Sequence, residues 1–265
     1  STNQETRIEL PVGDVQKVVL VEGTKETEIM VTAADGKINF NIPALKNAEI
    51  RIMTKTEEPD RPAWKEIKTI EDVCSAYPER ITFLMKNLTL DLEGLKEVRT
   101  AYLDGNISLA CRNLLDYYIK GNTSQYLRKD PVRNTAKRDP LADSILQDIY
   151  TFYNQPDKIS RDPDGHLNWL YHGPADDIEW AWALNRHYHL RVLLDAYLNT
   201  GNPDYSKAMD QHIKDWLICS QPYPEKKSST ELWRCLEVSF RVKIWAKIFY
   251  NLINNEDLTP ATRLL

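Results

Sequence analysis

The chain lacks the paired cysteines that would announce a metal- or disulfide-stapled fold. Its 4 cysteines, Cys74, Cys111, Cys219 and Cys235, are scattered over 265 residues with no C-x-x-C pair. No zinc site or other metal is therefore indicated, and no cofactor is expected. Cys219 and Cys235 flank one loop and could be bridged, but spacing alone does not establish it; the expected reading is two small buried apolar residues. No apolar run reaches the roughly 18 residues of a membrane span. There is also no Lys/Arg run and no finger, RRM-like or helix-turn-helix signature, and the net charge is −5 with a pI of about 5.6. Nucleic acid is excluded as a partner on these grounds. A polyanionic ligand would have to be met by a local basic cleft, because the overall field repels it.

What is present is aromatic. Apolar residues make up 42% of the chain, with 7 Trp and 13 Tyr, which places it among globular proteins. Its length allows one large domain or a small and a medium one. It opens on Ser1 without Met, as expected of a mature form whose signal peptide, if any, is already gone.

Residues 1–55 alternate apolar and polar at period two in five runs: 8–10, 17–23, 27–32, 37–42 and 48–54. Asp35-Gly36 between two of them is a hairpin signal. This small β module is expected either to pack on the rest of the chain or to be the end of a β-sandwich. Residues 56–65, polar and with two prolines, read as a linker. From 66 onward the period is helical. Helices are expected over 69–77, 81–88, 92–103, 107–119, 141–153, 176–199, 204–219 and 230–253. Gly105 and Gly121 stand where left-handed caps are often needed, and 122–140 is a long polar loop. Asn202-Pro203 and Thr259-Pro260 read as N-cap and first turn of two helices. The second is cut at Leu265, so the C-terminus is expected to be truncated.

Within this region Glu179–Tyr197, EWAWALNRHYHLRVLLDAY, carries the most chemistry. As one helix, it places Glu179, Trp182, Arg186 and His189 on a stripe with Asn185 beside it, and Ala183, Leu190, Leu194 and Tyr197 toward a core. Flat rings next to fixed donors are what a sugar-binding cleft needs. The competing reading is a buried polar network, in which Arg186 joins Glu179 or Glu237 across helices and Glu237 pairs with Arg241 four residues on.

LNWLYHGP, EWAWALNRHYHL, AYLNTGNPDYSKAM, IKDWL and LWRCLEVSFRV occur in the order and spacing of the heparinase II/III-type N-terminal domain, and GLKEVRTAYLDGNISLACRNLLDYY resembles that domain's start. The chain thus resembles heparin-sulfate lyases of the heparinase III type over roughly residues 80–265. The resemblance implies a mainly α fold: an incomplete α/α toroid of antiparallel helix pairs, preceded here by the small antiparallel β module. It implies a secreted or periplasmic polysaccharide lyase acting on uronic-acid-containing chains such as heparan sulfate by β-elimination. In that family an Asn neutralises the uronate carboxylate, and Tyr and His act as base and acid. The Gly-Asn-His-type motif that holds the Asn lies beyond the helix opening at Thr259, so no catalytic residue is assigned. Asn185 and His187 belong to a different motif. The family's W-x-L-N-R core matches Trp182, Asn185 and Arg186, and its W-R-x-L-E-x-x-x-R matches Trp233, Arg234, Glu237 and Arg241. Substrate-binding residues are therefore expected at Trp182, Asn185, Arg186, His189, Trp233, Arg234 and Arg241, with an acidic polysaccharide and the missing catalytic and β-sandwich portion as partners. Asn168 and Trp169, matching an N-W step, are expected to shape a loop.

Two other classes remain open at this level. One is a non-catalytic carbohydrate- or protein-binding helical module. The other is an α/α glycosidase, which needs carboxylates about 5–9.5 Å apart across a sugar. Asp176, Asp177 and Glu179 are too close on one helix start for that and suit the helix dipole instead.

Overall fold

The computed structural model describes residues 6–11, 15–22, 25–29, 32–34, 37–42, 49–54, 61–121, 125–132, 134, 137–224 and 226–265. The chain divides into two compact units, Ser1–Arg61 and Pro62–Leu265.

In the first unit, strands β1 (Thr6–Pro11), β2 (Val15–Glu22), β3 (Lys25–Ile29), β4 (Thr32–Ala34), β5 (Lys37–Ile42) and β6 (Glu49–Thr54) form two antiparallel three-stranded sheets, ordered β1-β5-β4 and β3-β2-β6. Val18 and Leu20, two apart on β2, share a face and are both buried. The run expected as one strand over 27–32 is split instead, its first half pairing in one sheet and its end in the other. Ala34 pairs with Lys37, so β4 and β5 close as a hairpin. The Asp35-Gly36 turn itself lies outside the described residues.

The second unit is mainly helical. Helices α1 (Ile70–Ala76), α2 (Pro78–Asn87), α3 (Lys96–Leu103) and α4 (Ile107–Lys120) follow one another closely. Thr69 and Asp72 form a reciprocal capping box at the start of α1. Gly105 adopts φ +75 after α3, a left-handed position that favours glycine. Gly121, expected to do the same, is instead extended, with φ −67 and ψ 140. These helices and α10 (Pro260–Leu264) bury Ile67, Val73, Ile81, Met85 and Leu114 in one core.

A second core gathers around α5 (Pro140–Ile145), α6 (Ile178–Asn185), α7 (Tyr188–Thr200), α8 (Pro203–Cys219) and α9 (Cys235–Asn251), with Trp180, Leu190, Tyr205 and Trp216 at its centre. Asn202 caps α8 ahead of Pro203, and Thr259 caps α10 ahead of Pro260, as the sequence predicts.

Three of the expected helices in this unit are corrected. The helix expected over 141–153 stops at Ile145; the chain continues as strand β7 (Ile149–Phe152), paired antiparallel with β8 (Gln155–Lys158). Tyr153 and Asn154 turn the hairpin with φ of 53 and 61, the signature of a type I′ turn, and Pro156 would in any case have ended a helix. The helix expected over 176–199 is two helices. His187 takes φ 61 between α6 and α7, a conformation costing about 1–2 kcal/mol for a side chain other than glycine. Its ring is held there by a Trp245 Nε1–H bond to His187 Nδ1 of 2.9 Å. The helix expected from 230 begins only at Cys235, because Ser228 and Thr230 fold the preceding residues into a hydroxyl-bonded turn.

All four cysteines are free. Cys219 and Cys235, expected to be buried, are exposed and unbridged. No helix among the described residues is long and apolar enough to cross a membrane.

Candidate functional site

Break and hairpin together decide where the residues of the Glu179–Tyr197 motif go. Asp177 caps α6 by accepting the Glu179 N–H at 2.9 Å, and one face of α6 then presents Glu179, Trp182 and Arg186. Opposite, the turn before α9 presents Arg234, and the first turn of α9 presents Glu237. The Arg234 guanidinium lies 3.4 Å from the Trp182 ring centroid, a close cation–π stack. Its Nε and one Nη bond the two Glu237 oxygens at 2.6 and 2.7 Å. Arg186 binds the same carboxylate at 3.1 and 3.0 Å, donates to the Tyr153 hydroxyl at 3.1 Å, and has Glu179 at 3.7 Å.

Glu237 is fully buried. Burial disfavours its charge, yet hydrogen bonds from Arg234, its own backbone N–H and Arg186 outweigh that and hold the carboxyl below its usual range. Two guanidiniums face two carboxylates, buried Glu237 and half-exposed Glu179, so the face is formally neutral and its accessible positive end is Arg234. Arg234 is 27% exposed at its side chain against 10% for Arg186, and Arg234 Nη1 has no hydrogen bond among the described residues. This face can therefore accept an anion at Arg234 beside the Trp182 ring.

Deeper, Asn185 is wholly buried and saturated. Its Nδ2 donates to the Trp169 and Ala181 carbonyls at 2.8 and 3.0 Å, and its Oδ1 accepts from Trp216 Nε1 at 2.8 Å. Arg241, 2% exposed, donates to the Asn185 and Leu232 carbonyls at 2.6 and 3.0 Å and stacks 3.9 Å from the Trp216 ring centroid. Burial pulls its pKa down to about 9. Arg241 and Glu237 do not pair with each other as the i, i+4 spacing suggests, because each is claimed by groups on other elements. Trp233 is half-buried, its Nε1–H bonded to the Ser220 carbonyl at 2.7 Å.

His189 leaves the expected stripe because α7 starts afresh after the break. It sits in a buried group with His187 and His212, its ring centroid 5.3 Å from each. Trp245 only donates, so His187 Nδ1 must be unprotonated and the proton rests on Nε2. Burial holds His187 and His189 well below the ordinary histidine pKa and pulls His212 down to about 4. These are neutral rings. The His187 Nε2 atom, both His189 nitrogens, the Tyr150 hydroxyl and the Trp169 indole N–H in the same region are buried without a protein partner among the described residues.

The expected residues thus separate. Trp182, Arg186 and Arg234 meet on one face; Asn185 and Arg241 form the network beneath it; His189 belongs to the histidine group and itself borders a pocket of about 220 Å³ with Tyr153 and Tyr188. Asn168 and Trp169 lie in the irregular segment, where Trp169 is buried. Tyr153 was not anticipated. A Tyr-Asn pair followed by Pro156 is the signal that could have placed it on a turn.

A profile of the Heparinase II/III N-terminus family matches residues 84–264. The heparin-sulfate lyase of Pedobacter heparinus is 26% identical over 186 residues, 66% of this chain and 27% of that protein. The chain therefore spans about a quarter of the length of this curated relative. Among solved structures, heparan sulfate lyase HepC of Pedobacter heparinus superposes with a TM-score of 0.54 at 24% identity, over 69% of this chain and 29% of that one. A heparinase III structure gives 0.55 at 23%, over 68% and 29%. Both show the shared helical toroid fold, and the family match extends well past half of the sequence. The chain belongs to the heparinase II/III family through that family's N-terminal domain.

Proposed function

We propose that this chain supplies one wall of the substrate cleft of a secreted or periplasmic polysaccharide lyase that cleaves uronic-acid-containing chains such as heparan sulfate by β-elimination. The observation that carries the reading is the Arg234–Trp182 stack over the Glu237–Arg186 pair. It offers the uncommitted Arg234 Nη1 donor and an aromatic ring at one place, on a support that fixes both. Trp233 precedes Arg234 in the turn before α9, and Arg241 ties α9 to α6 beneath the wall through the Asn185 carbonyl, while His189 lies apart from it in the histidine group.

The wall binds and the elimination chemistry is supplied from elsewhere. The Asn185 amide is already saturated and cannot neutralise a substrate carboxylate. His187 is neutral, buried and committed to Trp245. Incubation of the chain with heparan sulfate, hyaluronan, chondroitin and alginate should give no rise in the ultraviolet absorbance of unsaturated product. A protein-dependent rise would overturn this division and return Tyr188, His187 and His189 to consideration as catalytic groups.

Binding is the positive test. An acidic oligosaccharide should bind weakly and less well as salt is added, since exposed charges are screened over about 8–10 Å. Arg234→Ala should weaken it about tenfold, the loss of one charge-assisted contact of about 1.4 kcal/mol. Salt-insensitive binding, or equal binding of a neutral oligosaccharide, would favour a carbohydrate-binding module outside the lyase class.

A further inference from the structure

Away from this wall, α8 and the irregular segment before Trp169 bring three unlike donors together. Asp215 and Cys219, one turn apart on α8, point the same way. His166 comes from the segment, its backbone N–H held by Asp162 at 2.8 Å and its ring stacked 5.1 Å from Trp64. His166 Nδ1, an Asp215 carboxylate oxygen and Cys219 Sγ all lie within 4.8 Å of one another.

The hydrogen bonds converge on one atom. Asp215 Oδ1 faces His166 Nδ1 at 2.5 Å and accepts from the Cys219 thiol at 3.3 Å. Its other oxygen accepts the Leu167 N–H at 2.9 Å, so the carboxylate is oriented from behind while Oδ1 faces the other two groups. Arg161 lies 3.9 Å from Asp215 Oδ2, but its guanidinium is bound in a fork by Asp148 at 2.8 and 2.6 Å. Its charge is thereby compensated outside the cluster. His166 and Cys219 border an open pocket of about 410 Å³.

We propose that His166, Asp215 and Cys219 form a binding site for a zinc-class divalent cation, with a fourth coordination position open to this pocket. A nitrogen, a carboxylate oxygen and a thiolate within one turn of helix and one loop are a zinc donor set; magnesium and calcium take oxygen alone. Zinc bonds of about 2.0–2.3 Å in a tetrahedral arrangement put the donor atoms roughly 3.3–3.7 Å apart. The ion would replace the short His166–Asp215 contact by separating the two by about 1 Å, within side-chain reach. On binding, the thiol proton and any proton shared between His166 and Asp215 pass to solvent; no electrons are transferred. The Leu167 N–H already orients Asp215, as a hydrogen bond to a ligating carboxylate does in established sites.

The chain, stripped with a chelator and kept reduced, is titrated with cobalt(II). One equivalent should bind, with a thiolate-to-cobalt charge-transfer band and the strong visible bands of four-coordinate cobalt, both lost on adding zinc. Cys219→Ser should remove the charge-transfer band, and Cys235→Ser should leave it. His166→Ala should weaken zinc at least about tenfold in competition with a chromophoric chelator. Absence of the band at stoichiometric cobalt, or its survival in Cys219→Ser, overturns the proposal. Should Cys219→Ser fail to fold, X-ray absorption of the zinc-loaded wild type decides: one sulfur in a shell of nitrogen and oxygen is expected, and a shell without sulfur overturns it. None of these readouts depends on glycan binding.

Discussion

The arginine–glutamate face and the histidine group grow from one sequence motif and end in opposite environments. Arg186 closes α6 and keeps its charge beside Glu237, whereas His187 and His189, one and three residues on, surrender theirs to burial. The single left-handed residue His187 separates the two regimes by turning α7 inward. Charge survives in this interior only where a carboxylate or a carbonyl pair meets it. Titratable rings without such partners stay neutral.

The largest test of that contrast is acid. The folded pKa of His187, His189 and His212 is depressed, so the unfolded chain takes up protons first as pH falls below about 6.5, the ordinary histidine value. Stability is full above that pH and declines below it, down to about 4 for His212. Each histidine that stays neutral when folded should cost about 2 kcal/mol between pH 6.5 and 5, or about 6 kcal/mol for all three. Urea denaturation at pH 7.5 and 5 measures it, and a flat profile would mean that the rings are hydrated and free to protonate.

Next comes the arginine pair. Arg241→Ala strips donors from the buried Asn185 and Leu232 carbonyls and opens a gap against Trp216, a loss of about 3–5 kcal/mol. Arg234→Ala takes two hydrogen bonds from the buried Glu237 carboxylate but leaves Arg186 on it, and should cost about 1–3 kcal/mol of stability, less than Arg241→Ala, while also lowering glycan affinity. Parallel melts give the comparison directly; equal losses would erase the distinction between support and wall. Arg186→Ala should fall between them. Smallest of all, Tyr153→Phe removes one hydrogen bond to Arg186 and should cost about 0.5–1.5 kcal/mol, read as a shift in denaturation midpoint at constant slope.

Local signals were readable where a side chain speaks to its own backbone. Thr69, Asn202-Pro203 and Thr259-Pro260 mark helix starts that the structure contains, and the core face of α7 at Leu190, Leu194 and Tyr197 follows its period. The break at His187 was not readable, since neither glycine nor proline marks it and the contact that stabilises it comes from Trp245 on α9. Glu237 and Arg241 were misjudged as a pair for the same reason: helical spacing reports proximity within α9, while their partners lie on α6 and in the preceding turn. The His166–Asp215–Cys219 cluster joins residues 49 apart in its first pair, beyond the reach of any C-x-x-C rule.

The Arg234–Trp182 stack has an optical consequence. A cation resting 3.4 Å from an indole centroid perturbs that ring's emission. An anion that draws the guanidinium off the ring changes the emission without a label being attached. Subtracting the spectrum of a Trp182→Phe variant isolates this signal from the other six tryptophans, so the wall carries its own reporter of occupancy.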